Sequence, residues 1–325
     1  MSLDITTYQL IECEQHVHFC APSCDDKLIA CALGNGAVCV LNSVTFVAVA
    51  RGAPGRDYVD VPATCVRWAP AQCESDWQLV SSSSAGGVML WNWDSTEFSL
   101  RRGATASEQK NEVMAMDVSP SGNHILTAGS DRVVRVYDAK LTLLAQLVEG
   151  VTADGVPRPT HVNRIFSARF VTEAMAVTAG WESPIQVWDL RARCSNRQIV
   201  GLHGVSDCLE LVPNSHLVLV ASPKSTDTIQ IFDSVSGRIL DENSQTACTE
   251  LDPTERVLVC RFQAETGQAW CLTVSPPSVI VLALSSGHVV ARAALPCTPL
   301  CLSVSAAGAV VGCKDGKLLR LNLLV

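Results

Sequence analysis

The 325-residue chain is 48% apolar and only 17% charged, which excludes an extensively disordered polymer. Its formal net charge of -8 would repel phosphate backbones, and the sequence shows no basic stripe through which nucleic-acid binders release counterions, so no direct nucleic-acid contact is expected. No stretch approaches the roughly 20 consecutive apolar residues of a membrane helix.

The opening residues MSLDITTYQL carry no basic-then-apolar leader pattern, and fifteen cysteines in such a chain fit a reducing compartment. The protein is therefore expected to be soluble, free of disulfides and intracellular, in the cytoplasm or the nucleus. DITTYQLI alternates apolar and polar residues as a strand does, yet it has no partner strands nearby in the sequence.

The next stretch, CEQHVHFCAPSC at 13–24, raises the question of a metal site. Read as a strand from His16 to Cys20, it places His16, His18 and Cys20 on one face and Val17 and Phe19 on the other. Residues two apart on a strand stand roughly 6.6 Å apart, whereas zinc ligands converge to about 2.0–2.3 Å from one ion. Cys13 or Cys24 would have to fold back to complete a set, so no metal is expected here. His16 reads instead as a rim residue with a local hydrogen-bonding role.

From residue 16 onward one grammar repeats: alternating strand, turn, strand, tight turn, strand. The clearest copy is MAMDVSPSGNHILTAGSDRVVRVYDAK at 114–140. Others lie at 17–42, at 65–94 with a longer first turn, at 164–191 and at 208–233. The dipeptides Leu41-Asn42, Trp91-Asn92, Tyr137-Asp138, Trp188-Asp189 and Phe232-Asp233 close the third strands, at spacings near the ~40 to 45 residues of four-stranded blades. Two further units follow at 257–295 and 300–323, the last short of a fourth strand. Gly34-Asn35-Gly36 and Asp315-Gly316 read as hairpin turns, and the latter lacks the spacing of a phosphate loop.

These features predict an all-β protein made of a single domain, 1–325. Its blades are expected at approximately 16–50, 63–100, 113–147, 162–200, 205–240, 257–295 and 300–323. Residues 1–11 supply the missing strand and close the ring. Closure removes sheet edges that would otherwise invite aggregation.

With VWD at 187–189, VYD at 136–138 and the Gly-Ser-Asp turn at 129–131, the chain resembles the WD-repeat β-propeller superfamily over nearly its whole length. The resemblance implies seven blades, and in that superfamily a blade is often pinned by a histidine, a Ser/Thr, an Asp and a Trp. Blade four offers His161, Thr178, Glu182 and Trp188, with Glu in place of Asp. Blade three offers Thr127 and Asp131, with Tyr137 in place of Trp and no matching histidine, and blade two has no acid at its SSSSAGG turn. These residues are expected to be structural, because a hydroxyl locked in mutual hydrogen bonds is not a presented nucleophile.

VTAGWESPIQVWDLR at 177–191 also matches the W-D-x-R box of propellers that serve as receptors on cullin-4 ubiquitin ligases, where the arginine corresponding to Arg191 contacts the adaptor. Blade three has Lys140 at that position. Blade four, with its Gly-Trp-Glu turn and WDLR, is also similar to one blade of checkpoint and mRNA-export propellers that clasp a short partner helix. Trp181 falls on the top rim, and the longer loops add Arg56, Tyr58 and Arg158 as exposed candidates for partner contact. No convergent pocket of titratable residues can be assembled, so no catalytic residue and no cofactor are expected. The expected role is a non-enzymatic scaffold, monomeric by itself, that binds proteins or short peptides within a larger assembly; a ligase substrate receptor or a peptide-clasping checkpoint propeller is the alternative.

Overall fold

A computed structural model of the chain describes residues 2–9, 15–70, 77–152, 154–202, 204–222, 229–240 and 255–324. Their strands form seven sheets arranged as antiparallel blades, one of them extended by a parallel pairing at its outer edge, with each blade's first strand innermost. Blade one comprises Val17–Pro22, Leu28–Leu33, Val38–Asn42 and Ala48–Gly52. Blade two comprises Ala63–Ala69, Gln78–Ser83, Gly87–Asp94 and Ser99–Ser107. Blade three runs through Val113–Val118, His124–Gly129, Val134–Asp138 and Leu143–Leu147.

Blade four is built from Ile165–Thr172, Met175–Gly180, Ser183–Asp189 and Cys194–Ile199. A small hairpin, Gly150–Val151 with Pro157–Arg158, widens its outer edge, which the sequence pattern did not foreshadow. Blade five has three strands among the described residues, Leu209–Leu211, Leu217–Ala221 and Ile229–Asp233. Blade six has four, Val257–Gln263, Gln268–Val274, Pro277–Ala283 and Val289–Ala294.

Blade seven takes Pro299–Ser305, Gly308–Cys313 and Lys317–Leu324 from the end of the chain and Ser2–Gln9 from its beginning. The last two pair antiparallel from Ser2 opposite Leu324 to Gln9 opposite Lys317, which closes the ring. Backbone donors and acceptors of an otherwise open edge are thereby satisfied.

The core lies between blades. Trp91, Trp188, Trp270 and Phe232 are among the largest fully buried side chains, each filling the gap toward a neighbouring sheet. Alternating apolar residues on both faces of every blade make this possible, since each face packs on a neighbour. We call the face that carries the second-to-third-strand turns and the loops between blades the top.

Six of the seven innermost strands carry a register shift at the same place, between their first and third residues. A bulge adds a residue without a partner and re-aims its side chain. In blade one it overturns the simple alternation expected for His16 to Cys20. Val17 joins Cys20 in the core toward blade seven, and Phe19 joins Ala21 in the core toward blade two. His18, the bulged residue, faces the central channel.

Candidate functional site

The same bulge places one side chain from each of five blades at the top mouth of the channel. His18, Thr64, Met114, Phe166 and Leu300 are the bulged residues of blades one, two, three, four and seven, and all five line a cavity of about 300 Å³. Blade five has no bulge and contributes Asp207 from the residue run just before its strand. Burial, and secondarily His16, lowers the pKa of His18, which favours a neutral imidazole in this mouth.

Trp181 extends the mouth outward. It stands at the turn joining the second and third strands of blade four, 53% exposed. Its amide donates to the Arg164 carbonyl (3.0 Å), and its ring packs on Phe166 at 6.4 Å between centroids. An apolar step thus runs from the rim at Trp181 through Phe166 into the channel.

Below the mouth, six blades turn one polar side chain inward, Arg67, Asp117, Arg169, Glu210, Arg261 and Ser303, with Cys20 of blade one beside them. Asp207 ties them together. Its carboxylate accepts from Arg169 Nη2 and Ser167 Oγ (2.9 and 2.8 Å), pairs with Arg261 Nη2, and lies 3.7 Å from Arg67 Nη2. Asp117 accepts from the Phe170 amide (2.8 Å) and faces Arg67 Nε at 3.5 Å. Glu210 lies 3.6 Å from Arg261 Nη1 and 3.9 Å from Arg169 Nε. Arg67 also stacks over the Phe19 ring at 4.5 Å.

Burial alone would raise the pKa of Asp207, but Arg169, Arg261 and Arg67 outweigh it and hold the carboxyl well below the usual range. At Asp117 and Glu210 burial wins over the same arginines, and both carboxyls are pushed up. The floor is therefore a mutually neutralised plug of three arginines and three carboxyls. Its groups serve one another, which suits a structural belt across five blades better than proton transfer to a substrate.

In blade four, His161 Nε2 and Thr178 Oγ1 are 2.6 Å apart, and Trp188 Nε1 donates to the same hydroxyl at 2.7 Å. Glu182 does not complete the set: it is exposed with a left-handed backbone (φ 49°), while His161 Nδ1 is buried without a hydrogen-bond partner. Burial lowers His161 to a pKa of about 3. A hydroxyl already held by an indole N–H and an imidazole, and fully buried, is closed to a substrate.

Blade three does have an equivalent of the absent histidine, and sequence reasoning missed it. Glu108, 3% exposed, accepts from Thr127 Oγ1, Tyr137 Oη, Arg135 Nη1 and Asn111 Nδ2 at 2.5, 2.9, 3.1 and 2.6 Å. Arg135 also pairs with Asp131. The available signal was positional: Glu108 precedes its threonine by 19 residues, close to the 17 between His161 and Thr178. In blade two, Trp91 Nε1 donates to Ser81 Oγ at 2.8 Å instead.

The loop candidates separate. Arg56 is exposed, whereas Tyr58 is half-buried against blade two, so close that a Cβ on Gly87 would stand 2.4 Å from its ring. Arg158, expected to be exposed, is instead a clamp. Its guanidinium donates to the Val151 carbonyl and to Gln186, Gln198 and Ser195, tying the extra hairpin to blade four. Arg191 is exposed in the turn after the third strand of blade four, on the bottom face, with its amide donating to Asp189 Oδ1 at 2.9 Å.

His16 is exposed on the top rim, its Nδ1 hydrogen-bonded with the Lys314 carbonyl across the closing seam. Cys24 is exposed in the turn beyond the strand, while Cys13 lies outside the described residues. Cys20 stands with Cys31 and Cys301, sulfur to sulfur at 3.7 Å each, in the core beside blade seven. No helix among the described residues is long and apolar enough to cross a membrane.

Comparisons with known proteins agree with the architecture. The family described as "WD domain, G-beta repeat" matches residues 103–138. The chain is 24% identical over 179 residues to a protein named "Ribosome biogenesis protein WDR12 homolog" from Drosophila persimilis and, to the same extent, to that from Drosophila pseudoobscura pseudoobscura; the match covers 53% of this chain and 42% of each relative. The homolog of the same name from Drosophila yakuba is 25% identical over 138 residues, 40% of this chain and 32% of that protein. The chain thus spans less than half the length of these relatives. Seven radially packed blades, a ring closed by the N-terminal strand and the repeat match at 103–138 together support the WD-repeat β-propeller superfamily for this chain.

Proposed function

We propose that this protein is a non-enzymatic scaffold whose top face receives a peptide segment of a partner within a multiprotein assembly. The observation that carries the reading is the continuity of the apolar step from exposed Trp181 over Phe166 into a mouth built by a repeated bulge. Exposed Trp beside a concave site is the usual form of a binding hot spot. The floor beneath is neutralised from within, so it offers a rigid base and no free reactive group.

The relatives named for ribosome biogenesis suggest which assembly to test: maturing ribosomal particles, and therefore a nuclear site of action. In this reading Trp181 is the anchor and Arg56 a peripheral contact. Arg191, on the opposite face, is the contact that a ligase-adaptor role would require. The two predict different losses in one experiment. Co-sedimentation of the tagged protein with precursor ribosomal particles on a gradient should vanish on Trp181→Ala and survive Arg191→Ala. Sedimentation as a free protein in the wild type would overturn the assignment to that assembly.

A further inference from the structure

The top of blade seven, on the side that packs against blade six, gathers ligand atoms that the scaffold reading does not use. Cys297 lies in the loop leading to the innermost strand of blade seven. Cys313 ends the second strand of that blade, and Asp315 follows in the turn to the third. The two Sγ atoms and a carboxylate oxygen all lie within 4.8 Å of one another. Cys313 is buried, Cys297 half-buried and Asp315 exposed, so the cluster has a closed inner side and an open outer one. His16, arriving from the other end of the chain, bonds with the carbonyl of Lys314, the residue between Cys313 and Asp315.

We propose that Cys297, Cys313 and Asp315 form a zinc site. Two thiolates and a carboxylate are a zinc donor set, three protein ligands leaving a fourth position for water. Thiolates select zinc over magnesium or calcium, which take oxygen ligands. With Zn–S near 2.3 Å, tetrahedral ligand atoms stand about 3.8 Å apart, so the cluster needs a contraction of about 1 Å at most. Asp315, being exposed, supplies it by a change of rotamer. Lys317 Nζ pairs with the Asp315 carboxylate and competes with the ion.

The site differs from the His16–Cys24 stretch, whose strand geometry spreads its ligands apart. It joins an interblade loop to a strand turn, so an ion held there stabilises the blade at which the ring closes; an unfolded chain cannot match that arrangement.

The test adds cobalt(II), then zinc, to the reduced, metal-free protein. One cobalt per chain should bind with a thiolate-to-cobalt charge-transfer band, zinc should displace it, and zinc should raise the melting temperature. Cys297→Ser, at a half-buried position, should melt near the wild-type metal-free value yet lose both the band and the rise. Lys317→Gln should tighten cobalt binding several-fold, and Cys24→Ser should change nothing. The proposal is overturned if no band forms at one equivalent, or if the band persists in both Cys297→Ser and Cys313→Ala, which would place the metal on other cysteines.

Discussion

Tyr137 Oη donates a 2.9 Å hydrogen bond to Glu108 Oε1 in the buried interior of blade three. The tyrosine stands where a propeller blade of this superfamily usually has Trp, and the glutamate where it has histidine, so the two departures compensate each other. Arg135, held in place also by Asp131, then balances the charge that the glutamate brings. Glu108→Ala should therefore cost about 3–5 kcal/mol, because Thr127, Tyr137 and Asn111 lose their buried acceptor and Arg135 keeps only Asp131. Glu108→Gln should cost less, since an acceptor remains for Tyr137. Denaturant midpoints at neutral pH, with unchanged slope, read both.

His161 gives blade four a pH dependence of definite sign. Its folded pKa, about 3, lies below the unfolded value of about 6.5, so the unfolded chain takes up the proton first. The stability this residue supports is complete above about pH 6.5 and is lost progressively as pH falls toward the folded value, at up to about 1.4 kcal/mol per unit. His18, also lowered, contributes in the same direction. Comparing unfolding free energies at pH 7 and pH 5 should show a shallower loss for His161→Gln than for the wild type.

Asp207 acts in a more acidic window. Its carboxyl titrates below the unfolded value of about 3.9, so its contribution is present above that pH and falls away as pH drops further. Asp117 and Glu210, pushed up by burial, have the opposite sign: their ionised forms oppose folding near neutrality. Asp207→Asn should cost about 3–5 kcal/mol at pH 7, by leaving Arg169 and Arg261 with only the more distant Glu210 carboxylate. It should also flatten the loss of stability below pH 4, which acid unfolding followed by circular dichroism would measure.

Removing residues 1–11 should leave Lys317–Leu324 as an open sheet edge carrying Leu318, Leu319 and Leu321, which are buried in the closed ring. Light scattering should then show aggregation that the full chain lacks. A truncated chain that stays monodisperse would show that blade seven is stable with three strands.

The fold was legible because alternation, turn residues and third-strand aromatics recur at blade spacing, and each reports local geometry. DITTYQLI could be assigned to the last blade because a closed ring needs one more strand there. The channel was not legible. Arg67, Arg169 and Arg261 are ordinary polar members of alternating strands until ring closure brings them around Asp207. Phe166 and Met114 read as strand residues of unremarkable facing, and only the bulge turns them inward. Arg158 read as exposed because nothing in its loop announces the small hairpin it clamps. Glu108 escaped notice because the pattern sought there was a histidine, whereas the physical requirement is a buried acceptor for Thr127 and Tyr137.

Cross-linking of the native assembly through lysines, mapped by mass spectrometry, tests the top-face reading most directly. Lys110 and Lys314 are exposed on the top, and Lys27 and Lys140 on the bottom. Partner cross-links concentrated at Lys110 and Lys314, and lost on Trp181→Ala while Arg191→Ala retains them, are the predicted result. Cross-links confined to Lys27 and Lys140, insensitive to Trp181, would contradict it and move the partner to the opposite face.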